Sequence, residues 1–198
     1  MGKSIEVMVE ELKGGKKLCD IAMDDPGSYR THGKILALIE NDIAPKRNTM
    51  THCVWFCGSS NCDKMNIVNQ YIKDNNKDVY WKTEGGRMWD GYYGQDVVVI
   101  EELNRNKITH RDMCLLVDCH RHSVLRTRTT RREFNSKVIF VVTSNGPEHY
   151  FEEMKDPNYA AQINRRIKVV RLGVGDKFDI DKYLLERDAI EKAYRDNA

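Results

Sequence analysis

Four short apolar runs constrain this chain more than any other feature: Cys53-Val54-Trp55-Phe56-Cys57, Val97-Val98-Val99-Ile100, Val138-Ile139-Phe140-Val141-Val142, and residues 167–172. Apolar runs without regular alternation suit strands buried on both faces. Long polar or helical stretches separate them where tight hairpins would be short, and that spacing predicts parallel strands joined by crossovers. The expected fold is therefore α/β, a central parallel sheet with helices on either side.

The remainder divides around this core. Ile5, Val9 and Leu12 share a helical face, Gly14-Gly15 breaks it, and Leu18, Ile21 and Ala22 resume the period. Asp24-Asp25-Pro26-Gly27 marks a turn, and Ile35, Leu36, Leu38 and Ile39 predict a further helix. Residues 41–48, with Pro45 and two basic side chains, read as a linker. Tyr183, Leu184, Ala189, Ile190 and Tyr194 among charges predict a final amphipathic helix. The division expected is a helical oligomerisation unit over 1–45, an α/β domain over 46–175 and a C-terminal helix over 176–198. With 198 residues and 40% hydrophobic content, the chain supports one such core and a small appendage.

Charge and cysteine usage narrow the setting. Thirty-two Lys and Arg against 30 Asp and Glu leave a net charge of +2, so any nucleic-acid surface must come from local clustering. No apolar run approaches the roughly 20 residues of a membrane span, and Met1-Gly2-Lys3-Ser4-Ile5-Glu6 lacks a signal-peptide core, so the chain reads as intracellular with no membrane partner. Cys19, Cys53, Cys57, Cys62, Cys114 and Cys119 are expected to be reduced thiols. Cys114 with Cys119-His120-Arg121-His122 has a metal-like look but lacks paired Cys-x-x-Cys knuckles, so packing and surface roles are expected there.

The first run leads into Gly58-Ser59-Ser60-Asn61-Cys62-Asp63-Lys64-Met65 and then a helical stretch, Asn66-Ile67-Val68-Asn69-Gln70-Tyr71-Ile72. A strand, a loop ending in Lys and a helix form the context of the phosphate-binding pattern G-x-x-x-x-G-K-[ST]. Gly58 and Lys64 keep its spacing; Asp63 replaces the second glycine and Met65 the hydroxyl that would ligate Mg²⁺. Alone, the match is weak and the segment fits an ordinary strand-turn-helix better. However, the second run ends in Glu101-Glu102, carboxylates of the kind that place one acid, Glu101, near Mg²⁺ and another near an attacking water. The third ends in Thr143-Ser144-Asn145, whose amide suits orienting that water. Ends of adjacent parallel strands open onto one crevice, where ligands of open α/β sheets bind. Between the second and third runs lies a basic segment, Arg121-His122-Ser123-Val124-Leu125-Arg126-Thr127-Arg128-Thr129-Thr130-Arg131-Arg132, whose alternation predicts a hairpin.

Tyr80-Trp81-Lys82, Trp89-Asp90-Gly91-Tyr92-Tyr93-Gly94-Gln95, residues 97–102 and residues 138–147 together resemble, in order and spacing, the superfamily-3 helicase domain of Rep proteins from circular single-stranded DNA viruses such as circoviruses and nanoviruses. Residues 12–39, with Gly14-Gly15-Lys16, Asp20-Ile21-Ala22 and Tyr29, resemble the helical linker before that domain, so the likeness covers nearly the whole chain. It implies an AAA+-like P-loop NTPase fold using ATP and Mg²⁺, and an ATP-driven 3′-to-5′ helicase working as a ring, usually a hexamer, on single-stranded DNA during rolling-circle replication. RNA unwinding is an open variant of the same fold, and a viral source would place the protein in the host nucleus. By the resemblance Lys64 contacts the β- and γ-phosphates, Glu101 and Glu102 form the acidic strand-end motif, and Asn145 takes the water-sensing position. Arg165 or Arg166 serves the neighbouring subunit's nucleotide, and Arg126, Arg128, Arg131 and Arg132 belong to a hairpin entering the ring's channel.

Two departures qualify this. A carboxylate at Asp63 facing a phosphate at about 4 Å would oppose binding by roughly 4 kcal/mol at an effective dielectric near 20. Loss of the hydroxyl at Met65 is expected to cost roughly two or three orders of magnitude in rate, so hydrolysis should be impaired or absent. The alternative function is then a pseudo-ATPase, an oligomeric nucleic-acid-binding module or interfering relic. The second departure concerns the endonuclease domain of full-length Rep proteins. Its His-hydrophobe-His or His-hydrophobe-Gln motif and its Tyr followed three residues on by Lys do not occur here, since Tyr71 is followed by Lys73, one residue early.

Overall fold

The structure is a computed structural model and describes residues 2–43, 47, 50–82, 89–103, 108–118, 123–126 and 131–196. A five-stranded parallel sheet holds β1 (His52–Cys57), β2 (Val79–Lys82), β3 (Val97–Glu101), β6 (Val138–Thr143) and β7 (Ile167–Arg171) in the order β2-β3-β6-β1-β7. The separate antiparallel pair is β4 (Val124–Arg126) and β5 (Arg131–Glu133). The helices are α1 (Ile5–Lys13), α2 (Leu18–Asp24), α3 (Pro26–Ile43), α4 (Lys64–Asp74), α5 (His110–Val117), α6 (Pro147–Tyr150), α7 (Pro157–Asn164) and α8 (Ile180–Asp196). The four apolar runs are four of the five parallel strands, as their spacing predicts.

Alternation of side chains across the sheet builds two apolar layers. Cys53, Trp55 and Cys57 of β1 join a cluster with Met113 and Leu116 of α5 and Ile163 of α7, while Val54 and Phe56 join Val68 of α4 and Leu184 of α8 on the other face. β1 and β6 are buried at every position, as central strands covered on both faces must be. The edge strand β7 departs from the expectation of burial on both faces, for Lys168 and Arg171 are exposed. β2 forms the opposite edge, a strand the apolar-run criterion misses because Trp81 is 40% exposed and Lys82 is charged.

α1, α2 and α3 enclose their own small core of Met8, Leu12, Leu18, Ile21, Leu36 and Ala37. Asp25 caps α3, accepting the backbone N–H of Ser28 at 3.0 Å and of Lys3 at 2.6 Å; these donors hold its carboxyl down to about 2. The linker expected over 41–48 is shorter than its composition implies, because α3 continues to Ile43. Arg47 is no solvated linker charge either. It is 8% exposed and donates to Thr51 Oγ1 at 2.9 Å, to Leu115 O at 3.2 Å, and to the carbonyls of Leu116 and Asp118. The C-terminal end of α5 leaves carbonyls without intrahelical partners, and a guanidinium with five fixed donors satisfies several together. Among the described residues no helix is long and apolar enough to cross a membrane.

Candidate functional site

The C-terminal ends of the parallel strands form one edge, and the chain places most of the expected site residues there. Parallel register aligns Cys57 with Thr143 and Arg171, and Glu101 with Val142. The loop after β1, Asn145 after β6 and Glu101-Glu102 at the end of β3 thus lie side by side, with the β6 end between the other two.

Gly58 begins the loop at φ 148°, its N–H donating to Ser144 O at 3.2 Å. A Cβ here would meet Leu172 O at 2.2 Å and Cys62 Sγ at 2.7 Å, so the position admits only glycine. Ser59, Ser60 and Asn61 are exposed, whereas Cys62 is buried with its Sγ 2.9 Å from Ser59 O. Lys64 opens α4 and folds its ammonium back over the loop, donating to Gly58 O at 2.8 Å and Ser59 O at 2.6 Å, 3.4 Å from Cys62 Sγ. Cation and helix N-terminus therefore face the same small space, where first-turn amides have no intrahelical acceptor.

The two altered positions separate in their effects. Asp63 holds left-handed backbone angles, φ 47° and ψ 17°, which explains why a glycine suits the position. Its side chain makes no cap bond to α4; Oδ1 accepts Asn66 Nδ2 at 2.9 Å, on the outer surface of that helix. Met65 packs against the apolar layer containing Phe56 and Val68 and offers no hard oxygen to the loop.

Glu101 and Glu102 are both exposed. Glu102 sits at φ 45° with its N–H bonded to Val142 O at 3.2 Å, so two of the three described non-glycine residues at positive φ, Asp63 and Glu102, flank this site. Such backbone strain, of order 1–3 kcal/mol per residue, concentrates at functional sites. Asn145 is exposed, and its carbonyl accepts Trp55 Nε1 at 2.9 Å. Trp55 is fully buried and packs against Tyr150 and Phe151, so a core aromatic fixes the strand end that presents Asn145. Nothing in the apolar-run reading marks Trp55 for this; only its lone indole N–H, which needs an acceptor when buried, carries the signal. Arg171 was also missed. It ends β7 at this edge and pairs with Glu148 at 2.7 Å, and both charges act with that of Lys64 on the thiol of Cys57, which burial pushes up.

The remaining expected residues lie elsewhere. Arg165 and Arg166 follow α7 and precede β7, at the opposite edge of the sheet. Arg165 is exposed, while Arg166 lies 3.4 Å from Asp118 and donates to Gln162 O at 3.0 Å. The hairpin forms as expected, with Arg126 paired in register to Arg131, but Arg128 lies outside the described residues. Arg132 turns inward. It pairs with Glu40 of α3 at 2.6 Å and stacks 5.1 Å above Tyr93, tying the hairpin to the helical unit. Cys114 and the other four described cysteines are free thiols; Cys119, His120 and His122 lie outside the described residues.

The family described as RNA helicase matches residues 54–145, from β1 through the strand end carrying Asn145. The replication-associated protein of Beak and feather disease virus is 28% identical over 156 residues, covering 78% of this chain and 52% of the viral protein. The chain is similar to circovirus replication-associated (Rep) proteins. A second circovirus relative, the replication-associated protein of Pigeon circovirus, is 25% identical over 86% of this chain and 51% of its own length. The replication protein of Onion yellows phytoplasma is 21% identical over 63% of this chain and 33% of its own. The chain thus spans about half the length of these circovirus relatives, and residues 54–145, matched by the RNA helicase family, contain the whole loop after β1 and the acidic pair. Helicase-type domains depend in general on a nucleotide and a metal ion.

Proposed function

We propose that this chain is the ATP-dependent, superfamily-3 helicase-type module of a replication protein, acting on single-stranded DNA as a ring, a hexamer by the family resemblance. One observation carries the reading: a loop whose first position admits only glycine, a lysine folded over it, paired carboxylates and an amide meet at one strand-end edge of a parallel sheet. Lys64 and the α4 amides would hold the β- and γ-phosphates, Glu101 or Glu102 would orient the attacking water, and Asn145 would align it. Mg²⁺ neutralises developing charge on transferred phosphoryl groups. The protein ligand fitted to it is Glu101, since Mg²⁺ accepts one or two carboxylates beside phosphate oxygens, while Met65 leaves it without the loop hydroxyl. Arg165 lies at the edge opposite its own loop, a placement suited to the nucleotide of a neighbouring copy. Residues 1–45 would join the copies, 46–175 carry the nucleotide, and 126–131 line a channel. A viral source would place this work in the host nucleus; RNA is the alternative strand.

Asp63 and Met65 favour a second reading, a nucleotide-holding assembly that does not hydrolyse. Steady-state ATP turnover with and without single-stranded DNA separates the two. Slow turnover stimulated by the strand is expected of the module, whereas nucleotide binding without turnover identifies the second reading.

A further inference from the structure

At the edge of the sheet opposite the phosphate loop, a cavity of about 660 Å³ lies between α8 and the beginnings of β1, β3 and β6. His52, the first residue of β1, forms part of its wall with a side chain only 7% exposed. Its Nε2 lies 2.7 Å from Asp188 Oδ1 of α8. Glu191 follows Asp188 by three residues, which sets both carboxylates on one face of the helix. Its Oε1 accepts the backbone N–H of Met50 at 3.1 Å, a bond that helps to orient the carboxylate. One imidazole nitrogen and two carboxylate oxygens come within 4.8 Å of one another.

We propose that His52, Asp188 and Glu191 form a three-ligand site for a divalent transition-metal ion of the Zn²⁺ class, separate from any metal at the nucleotide edge. A tetrahedral ion with bonds of about 2.0–2.2 Å holds its ligand atoms roughly 3.3–3.6 Å apart. The His52–Asp188 contact need open by less than about 1 Å, and the outermost pair close by a little over 1 Å; Asp188, 68% exposed, is free to make that movement. Imidazole selects Zn²⁺ and its neighbours over Mg²⁺ or Ca²⁺, and two carboxylates with a neutral imidazole balance a 2+ charge. A simple ion pair accounts for less, since a pair with so exposed a carboxylate contributes little. Lys137 and Lys192 also line the cavity and offer another way to offset the carboxylates, so the test must see the ligands themselves. β1 spans roughly 16 Å from His52 to Cys57 at about 3.3 Å per residue. An ion here therefore ties α8 to the strand that leads into the phosphate loop, without touching the loop.

Co²⁺ is the probe, titrated into the full chain under reducing conditions and then displaced by Zn²⁺. One Co²⁺ per chain with visible d–d absorption and no thiolate charge-transfer band is expected. Asp188→Asn with Glu191→Gln alters exposed or hydrogen-bond-compatible positions and leaves His52 packed; it should weaken binding at least about tenfold, as should His52→Ala. Zn²⁺ should raise the melting temperature of the wild type and not of the double variant. Equal Co²⁺ binding by wild type and double variant, a thiolate band, or no Co²⁺ binding by the wild type would each overturn the proposal.

Discussion

Asp63 and Met65 show how much of a site one residue can decide. Their identities are plain in the sequence, but the direction of each side chain is not, since a φ of 47° and the packing of α4 turn Asp63 toward Asn66 and Met65 into the apolar layer. The full charge penalty argued from sequence for Asp63 is therefore reduced by geometry, while the absence of a hard oxygen at Met65 stands. Asp63→Gly should relieve roughly 1 kcal/mol of backbone strain. Met65→Ser should cost about 1–2 kcal/mol, below the range for a fully buried methionine because Met65 is only partly covered. The double variant should remain folded by circular dichroism, and its ATP turnover should rise on the order of tenfold or more. A folded double variant with no gain would place the loss among Glu101, Glu102 and Asn145. Arg47 and Arg132 were illegible for a different reason: a basic residue in a polar stretch reads as solvated, and only the tertiary fold supplies the carbonyls, carboxylate and ring that bury it.

At the scale of elements, legibility follows burial. Strands covered on both faces announce themselves as apolar runs, but β2 at the sheet edge places Trp81 outward and a buried Lys82 inward, so its pattern is erased by a charge. The β4–β5 hairpin was readable from alternation, and its roles divide along its length. Leu125 and Phe134 are buried in the main core, Arg132 is engaged with Glu40, and Arg126 and Arg131 stand in register beside the tip. Replacing Arg126 and Arg128 by Ala should weaken single-strand binding alike for oligonucleotides of unrelated sequence. For single strands log affinity falls by about 0.7 per neutralised phosphate per unit of log salt, so the slope should flatten by roughly one unit for each engaged subunit. Fluorescence anisotropy at several salt concentrations measures both, and an unchanged slope would leave the hairpin without a phosphate contact.

The whole molecule joins a three-helix unit to a sheet whose working edge depends on parallel order. Sequence spacing shows that the strands are parallel, but not that β6 lies between β1 and β3, and that order is what sets Asn145 between the loop and the acids. The helical unit exposes Met23 at 79%, Leu38 at 63% and Ile35 at 50%, apolar surface suited to a neighbouring copy. Ile35→Glu with Leu38→Glu should shift sedimentation toward monomer while changing stability little, as expected of surface substitutions; an unshifted distribution would remove this face from the assembly. Every role assigned to the strand-end edge finally rests on nucleotide phosphates reaching Lys64. Calorimetric titration of ATP into the wild type and Lys64→Ala, with and without Mg²⁺, tests that directly. The expected result is weak, saturable binding that Mg²⁺ changes little and that Lys64→Ala lowers by at least about tenfold, roughly 1.4 kcal/mol. No ATP binding by the wild type, or equal binding by Lys64→Ala, would contradict it.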